Sequence, residues 1–297
     1  WDNYEGDKNE SILGLSADSD WALISNYNDK AVLRNKLPFD TMYELNGEGS
    51  AMREKYVEVF FRQQDSGPLR ASDYRGIYIL TERIKRHKDR VDIEEVRLCD
   101  NTFTNNPAVD DLAPISGGYI FRKDKDPQEN PFTTTSGQAL QVREPSAPTA
   151  NQVSYLRGYM NRFEAALNGP NFADPVNGYA KYIDVDSFID NHIWVEFCKQ
   201  IDGYRLSTYW TKERGGKVRA MPLWDYNLSL GNADYLNGFN PVGWYYAEGD
   251  IYNTTNYPWY KRLFADPEFN QKYWDRYWEL RRTILSTANL MARIDSM

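Results

Sequence analysis

The 297-residue sequence contains little cysteine and little histidine, and these shortages exclude several kinds of site. Only Cys99 and Cys198 are present, too few for a disulfide framework or a cysteine zinc site. We expect two unpaired thiols, with one bridge as the alternative. His87 and His192 are the only histidines, so a Ser-His-Asp triad or a histidine-rich metal site would have very few candidates. The chemistry is therefore expected from carboxylates, amides and bases.

The sequence also lacks a long hydrophobic run, an excess of positive charge and any internal repeat. No run of about 18 apolar residues occurs, so we expect a globular chain with no membrane span. The formal net charge of -8 argues against nucleic acid as the main partner. The chain opens at Trp1 with neither Met nor a signal peptide, and we expect that its start has been trimmed. Nothing in the sequence sets the oligomeric state.

Aromatic residues are abundant at 15%, including 9 Trp and 22 Tyr. Such a content is typical of a sugar-binding face or of an aromatic core. Many of these residues lie in the segment 243–262, which reads GWYYAEGDIYNTTNYPWYKR. Core packing is the favoured role for that segment, and substrate recognition is the alternative.

The first part of the chain is predicted to contain a helix and three strands. The strands are read from apolar or alternating runs and lie at 21–24, 55–63 and 76–84. A helix over 31–45 follows a cap at Asn28 and Asp29, and Pro38 kinks or interrupts it. The two later strands are expected to form an antiparallel pair. A helix followed by such a pair indicates an α+β fold.

The rest of the chain is predicted to be irregular at first and then mainly helical. Two segments rich in turn formers, 100–118 and 123–138, flank a predicted strand at 117–125. Residues with helical periodicity follow at 151–167, 184–201 and 268–294, and two short strands are predicted at 207–213 and 217–225. The helix over 184–201 is expected to start at a cap formed by Asp186 and Ser187. The two short strands form a tight hairpin, and 268–294 is one long amphipathic helix.

Two aspartates flank this predicted hairpin. Asp202 follows the helix, and Asp225 ends the second strand, so the hairpin should bring both carboxylates to one cleft. Protein kinases use the same order of helix, acid, hairpin and metal-binding acid for phosphoryl transfer. Their second metal ligand follows the first acid by five positions, which is Ser207 here, and Asn227 would supply an amide oxygen. Oxygen ligands of this type suit Mg²⁺ or Mn²⁺. The alternative is that Asp225 only caps a turn.

Four segments together resemble the CotH kinase family, named for spore coat protein H. They read SDWALISNYNDKAVLRNKL, DYRGIYILTERI, FIDNHIWVEFCKQIDGYRLSTYW and PLWDYNLSLGNADYLNG. The resemblance covers roughly residues 12–295 and implies a divergent protein-kinase-like fold of two lobes. A small β-rich N-lobe would span 1–95, and a larger, mainly helical C-lobe would span 96–297.

The resemblance implies an atypical protein kinase that uses ATP and a divalent metal to phosphorylate Ser hydroxyls of a protein substrate. It matches Asp202 to the catalytic-loop acid and Asp225 to the metal-binding acid. Asn227 stands where many members have Asp or Asn, and Ser207 stands where many have Asn. The family also implies an extracellular, cell-surface or spore-coat location. The alternatives are a catalytically degenerate adhesin or spore-coat structural protein and, from the aromatics, a carbohydrate-binding module.

The nucleotide-binding residues are predicted in the N-lobe. The strand that bears the kinase lysine is expected to precede this chain. Lys30, Arg34 and Lys36 flank the first helix and are candidate phosphate contacts, with solvated surface bases as the alternative. Glu82 ends a strand where a hinge would begin and is a candidate acceptor for the adenine amino group. The alternative for Glu82 is an ordinary salt bridge at a strand end.

Three further features favour structural roles. His192 lies on the apolar face of its helix, which is typical of a hydrogen-bonded core histidine. The basic run RIKRHKDR at 83–90 is typical of a solvated turn, and attraction of an acidic substrate tail is the alternative. The segment GEGS at 47–50 is only a weak match to a phosphate-binding loop.

Overall fold

The computed structural model describes residues 8–63, 66–125, 129–244 and 259–297. Within these ranges the first part of the chain forms a three-stranded antiparallel sheet. Its strands are β1 (Trp21–Ser25), β2 (Glu54–Phe60) and β3 (Tyr74–Glu82), with β3 in the centre. Leu80 of β3 lies opposite Leu23 of β1 and Lys55 of β2. The three predicted strands and the antiparallel pairing of β2 with β3 are confirmed.

Helix α1 (Lys36–Asn46) begins at residue 36, so the prediction of a helix from residue 31 is wrong. Asp29 caps a turn ahead of the helix instead, because its carboxylate accepts hydrogen bonds from the N–H groups of Ala31 at 3.2 Å and Arg34 at 2.8 Å. An aspartate that bonds its neighbouring backbone competes with helix formation. Pro38 lies in the first turn, where a backbone N–H has no helical partner, so it marks the helix start.

The second sheet has five antiparallel strands in the order β5-β6-β4-β7-β8. They are β4 (Tyr119–Lys123), β5 (Pro131–Thr133), β6 (Ala139–Glu144), β7 (Thr208–Lys212) and β8 (Val218–Arg219). The prediction of β4 and of the β7–β8 hairpin is confirmed, although β8 is shorter than expected. The prediction of irregular structure over 123–138 is wrong at β5, and the sequence pattern did not indicate β6. These strands depend on pairing with distant residues, which local preferences do not report.

Two long helices, α3 (Ala150–Asn168) and α4 (Val185–Cys198), are confirmed where periodicity predicts them. The cap of α4 is Asp184, whose carboxylate accepts a hydrogen bond from the Ser187 N–H at 3.0 Å. The predicted cap at Asp186 is therefore two residues too late. Two short helices also occur in the described residues, α2 (Pro107–Asp110) and α5 (Tyr260–Leu263).

The C-terminal segment forms α6 (Pro267–Arg282) and α7 (Thr287–Ser296), so the prediction of one continuous helix is wrong. Thr283, at the end of α6, has non-helical backbone angles of φ -119° and ψ -108°. Ser286 then caps the new helix by accepting a hydrogen bond from the Asn289 N–H at 3.3 Å. A capped restart of this kind keeps the amphipathic pattern while changing the direction of the chain.

The core is rich in aromatic side chains and contains one of the two histidines and one of the two cysteines. His192 is 1% exposed, its Nδ1 lies 3.1 Å from the Tyr273 hydroxyl, and burial lowers its pKa well below the usual value. The prediction of a core histidine is confirmed. Cys99 is exposed, Cys198 is buried, and both are free thiols, as predicted.

The described residues therefore form an α+β fold with seven α-helices and two antiparallel sheets. Among them, no helix is long and apolar enough to cross a bilayer. The predicted division into lobes at 1–95 and 96–297 stays a prediction.

Candidate functional site

Helix α4 ends in a tight loop that carries Asp202. Lys199 adopts a left-handed backbone conformation with φ 48°, which turns the chain out of the helix. Gly203 packs so closely against α4 that a Cβ atom there would lie 2.4 Å from Cγ1 of Val195. The Leu206 N–H then donates a hydrogen bond to the Asp202 carbonyl at 2.8 Å. The loop around Asp202 is thus fixed by packing and by backbone hydrogen bonds.

The structure brings Asp202 and Asp225 together, although they are separated by the β7–β8 hairpin. The side chain of Gln200 bridges the two residues: its Oε1 accepts from the Asp202 N–H at 2.8 Å, and its Nε2 donates to the Asp225 carbonyl at 2.8 Å. The charge of Asp202 also contributes to the pKa of Asp225. The two predicted acids therefore lie close to each other, and their sharing of one functional site stays a prediction.

Asp225 occupies an acidic, half-buried position. Burial raises the pKa of its carboxyl above the usual value. A hydrogen bond from the Ser207 hydroxyl at 2.9 Å opposes this rise, whereas the negative charges of Asp202 and Asp124 add to it. Asp124 directly follows β4 and was not predicted from the sequence. Converging negative charge at a half-buried carboxylate is relieved when a cation binds.

The hydrogen bonds of Asp225 differ from those of an aspartate that caps a turn. Within the described part of the chain, its carboxylate accepts a hydrogen bond from the Ser207 hydroxyl and from no backbone N–H. Asp174, by contrast, caps a turn by accepting from the N–H groups of Val176 and Asn177. Asp225 therefore lacks the bonding of a turn cap, and its metal-binding role stays a prediction that this geometry allows.

The two remaining predicted metal ligands differ in how their side chains are used. The Ser207 hydroxyl is already bonded to Asp225. The backbone carbonyl of Asn227 accepts a hydrogen bond from Nδ2 of Asn232 at 2.7 Å, but the Asn227 side-chain amide bonds to none of the residues that the structure describes. Asn227 is therefore the better placed of the two to offer an oxygen to a cation.

Asp202 forms an ion pair with Arg205, in which Oδ1 lies 2.5 Å from Nη2. Their side chains are 15% and 27% exposed, and ion pairs at such partly exposed positions contribute little stability. Oδ2 of Asp202 accepts no hydrogen bond from any described residue, so it can face a substrate hydroxyl. The sequence prediction missed Arg205, although its spacing of three residues from Asp202 was the available signal.

Backbone conformations with positive φ recur in the two loops of this site. Non-glycine residues with positive φ angles cost on the order of 1 kcal/mol or more and persist where the surroundings impose them. Five such residues lie between the end of α4 and the segment after Asp225: Lys199, Tyr204, Ser207, Asp225 and Leu230. Such clustering is typical of a functional site.

The segment before α1 packs against the loop that contains Asp225. Oδ1 of Asn35, which is 4% exposed, accepts a hydrogen bond from the Tyr226 N–H at 2.6 Å. Arg34 pairs with Asp29 at 2.6 Å, and its Nε lies 3.5 Å from the Leu230 carbonyl. The predicted phosphate contact Arg34 thus lies beside this loop. The role of Asn35 was not predicted from the sequence.

The other predicted phosphate contacts are used elsewhere. Lys30 is exposed, and its Nζ lies 4.8 Å from the centre of the Tyr27 ring. Nζ of Lys36 lies 2.5 Å from Oδ2 of Asp40 on the same helix. No hydrogen bond among the described residues connects either lysine to the two acids of the site.

Glu82 is engaged in a buried ion pair. It is 1% exposed, its Oε1 lies 2.7 Å from Nη2 of Arg53, and it accepts a hydrogen bond from the Ser16 N–H at 2.8 Å. Burial would raise the pKa of Glu82, but the hydrogen bonds from Arg53 and Ser16 outweigh burial and lower it. The structure thus contains the predicted salt bridge, and a contact with adenine stays a prediction.

The weaker candidates have structural contacts. In the segment 47–50, Gly47 caps the end of α1, and the Ser50 hydroxyl donates to its carbonyl at 2.5 Å. In the basic run 83–90, four bases form ion pairs with acids within the described residues: Arg83, Lys85, Arg86 and Arg90. This run is therefore largely neutralised by its own chain.

The aromatic segment 243–262 lies mainly outside the described residues, which omit 245–258. At its end, Trp259 is 8% exposed and Tyr260 is 4% exposed, and both belong to the core.

The donor set fits a hard divalent cation in kind. Asp225 and Asn227 offer a carboxylate and an amide oxygen, which Mg²⁺ and Mn²⁺ accept. Within the residues that the structure describes, no cluster of three or more His, Cys, Asp or Glu is placed to hold a metal. The remaining ligands would therefore come from water and from nucleotide phosphates, as is common for Mg²⁺.

The fold and the site define a class: an α+β protein in which a helix end and a hairpin end bring two loop aspartates together. The chain matches the family described as CotH kinase protein over residues 1–297, its whole length, and belongs to that family. The resemblance read from the sequence is thereby confirmed. A search of curated proteins found no match.

Proposed function

We propose that this protein is an atypical protein serine kinase that transfers the γ-phosphate of ATP to a Ser hydroxyl of a protein substrate. The observation that carries the proposal is the pairing of Asp202 and Asp225 through Gln200, in a member of the CotH kinase family. Phosphoryl transfer needs positioning and charge neutralisation more than covalent chemistry. Two loop carboxylates, beside an amide that bonds to none of the described residues, provide the polar groups for both tasks.

Each residue of the site has a defined role in this proposal. Oδ2 of Asp202 orients the substrate hydroxyl and accepts its proton. Asp225 and Asn227 hold Mg²⁺ or Mn²⁺, which neutralises phosphate charge when it is bound. The Ser207 hydroxyl orients Asp225, and Arg34, beside the same loop, contacts phosphate.

The proposal includes a two-lobed, kinase-like arrangement. The three-stranded sheet and α1 would form the N-lobe, and ATP would bind between this lobe and the rest of the chain. Support comes from the contact of Asn35 with Tyr226, which joins the segment before α1 to the metal-binding loop. The family name suggests a spore-coat or cell-surface location.

The test of the proposal is the Asp225→Ala variant. We expect transfer of labelled phosphate from ATP with Mn²⁺ to fall by at least about a hundredfold, because removal of one essential charged group costs several kcal/mol of barrier. Circular dichroism should show an unchanged fold. The matched control is Asp234→Ala, an exposed carboxylate nine positions further on, which should keep full activity. Equal activity of Asp225→Ala and the natural protein would overturn the assignment.

A second candidate function is a catalytically degenerate adhesin or spore-coat structural protein. The ion pair of Asp202 with Arg205 favours it, because this pair occupies one oxygen of the proposed base. An assay of phosphate transfer by the natural protein and by the Arg205→Ala variant separates the two functions. A kinase should transfer phosphate in its natural form, whereas a degenerate protein should transfer none in its natural form or as the variant.

A further inference from the structure

We propose that Gln200 is a positioning residue that sets the distance between the proposed base Asp202 and the metal-binding loop at Asp225. The inference rests on the proposed function for its catalytic consequence, but its structural part can be tested without activity. Gln200 lies at the end of α4, is 2% exposed and touches both loops through one planar amide.

The backbone groups of the two loops require one donor and one acceptor at this position, and the Gln200 amide provides both. The Asp202 N–H needs an acceptor, and the Asp225 carbonyl needs a donor. Both hydrogen bonds are 2.8 Å long, and only one orientation of the Gln200 amide satisfies them together. An ionised carboxylate would lose the donor, and a thioether would lose both bonds.

The backbone of Gln200 is fixed as firmly as its side chain. Its N–H donates to the Val195 carbonyl of α4 at 2.9 Å, and its carbonyl accepts from the Gly203 N–H at 3.1 Å. Gln200 therefore transmits the position of α4 to Asp202 and to Asp225 at once. From the other side, Asn35 holds the residue that follows Asp225.

Loss of the Gln200 amide should affect the alignment of the reacting groups more than the binding of nucleotide. Loss of the Gln200 amide leaves Asp225 with its bond to Ser207 and leaves the next residue bonded to Asn35. Asp202 would lose its tie to the metal-binding loop, so substrate hydroxyl and phosphate would be misaligned. Misplacement by about 1 Å can cost on the order of a hundredfold in rate.

The experiment compares Gln200→Met with Gln152→Met. Gln152 is also fully buried and also bonds backbone on both ends of its amide, to the Thr149 N–H at 2.9 Å and the Arg97 carbonyl at 2.8 Å, at the start of α3. Both variants keep the side-chain volume closely. Gln200→Met loses two hydrogen bonds, and Gln152→Met loses three, because Nε2 of Gln152 also donates to the Asp100 carbonyl at 3.3 Å. We expect similar losses of stability, but a fall in kcat of tenfold or more only in Gln200→Met, with the KM for ATP changed less than threefold. A normal kcat in Gln200→Met would overturn the inference.

Amide hydrogen exchange separates this inference from the proposed function. In Gln200→Met, exchange should rise in the segments around Asp202 and Asp225 and stay unchanged elsewhere. Unchanged exchange in those two segments overturns the positioning role of Gln200 whether or not the protein transfers phosphate. Absence of phosphate transfer in the natural protein, with faster local exchange in the variant, overturns only the proposed function.

Discussion

Gly203 is required for space, because the loop that carries Asp202 passes directly over α4. A Cβ atom on residue 203 would lie 2.4 Å from Cγ1 and 2.9 Å from Cγ2 of Val195. We expect Gly203→Ala to lower the free energy of unfolding by about 1–3 kcal/mol, the usual cost of overpacking. Urea denaturation measures this loss, and phosphate transfer should fall with it because Asp202 is displaced.

Gly158 in the middle of α3 provides the control for this prediction. A Cβ atom there would meet only Nη1 of Arg162, at 3.8 Å. Gly158→Ala should therefore raise stability by about 0.5–1 kcal/mol, because alanine favours the helix. If both variants were equally stable, the close packing at Gly203 would not be what shapes the loop.

The individual acids of the site could be predicted from the sequence, but their supports could not. Asp202 and Asp225 follow elements with clear periodicity, and the order of those elements indicates a shared cleft. Gln200 and Asn35 act by bonding to backbone groups of distant loops. Such bonds leave no pattern in neighbouring residues, so only the folded chain reveals them.

The contact between β2 and α1 contains a buried acid, Glu54. It is 2% exposed, and burial raises its pKa to about 8, with the charge of Lys36 opposing and that of Asp40 adding to the rise. Between the ordinary value of 4.5 and about 8, the folded protein keeps a proton that the unfolded chain has released. The stability contributed by this group therefore falls as the pH rises through that window.

The Glu54→Gln variant should remove this pH dependence, because an amide does not ionise. We expect the natural protein to lose on the order of 2–4 kcal/mol more stability than the variant between about pH 5 and about pH 8. Urea denaturation at the two pH values measures the difference. Glu58→Gln, at an exposed position of the same strand, should behave like the natural protein. Identical pH slopes for Glu54→Gln and the natural protein would contradict the buried acid.

The elements were predictable where one face repeats along the chain, as in α3 and α4. Prediction of helix boundaries failed where a single side chain redirects the backbone. Asp29 delays the start of α1, and Ser286 begins a new helix after α6. Both effects are local hydrogen bonds worth about 1 kcal/mol, enough to move an element boundary but too small to alter the hydrophobic pattern.

Across the whole molecule, the charge pattern favours a cation at the site. The net charge is -8, and the conspicuous basic run at 83–90 is paired with acids of its own chain. Lys199, Arg205 and Arg34 remain as bases in or beside the two loops. An anionic nucleotide would therefore meet little positive charge unless a divalent cation accompanies it, so we expect ATP binding to depend on the metal.

This dependence can be measured as a shift of the thermal transition. Ligand that binds only the folded protein at about a hundred times its Kd adds about 2.7 kcal/mol, which corresponds to a rise of a few degrees in Tm. We expect that rise with ATP and Mn²⁺ together and little change with ATP alone. Asp225→Ala should lose the rise, and Asp234→Ala should keep it. If the natural protein shows no shift, the cleft does not bind nucleotide, and the structural or adhesive role becomes the better account. If Asp225→Ala keeps a full shift, the nucleotide binds elsewhere on the molecule, and the pairing of Asp202 with Asp225 serves another purpose.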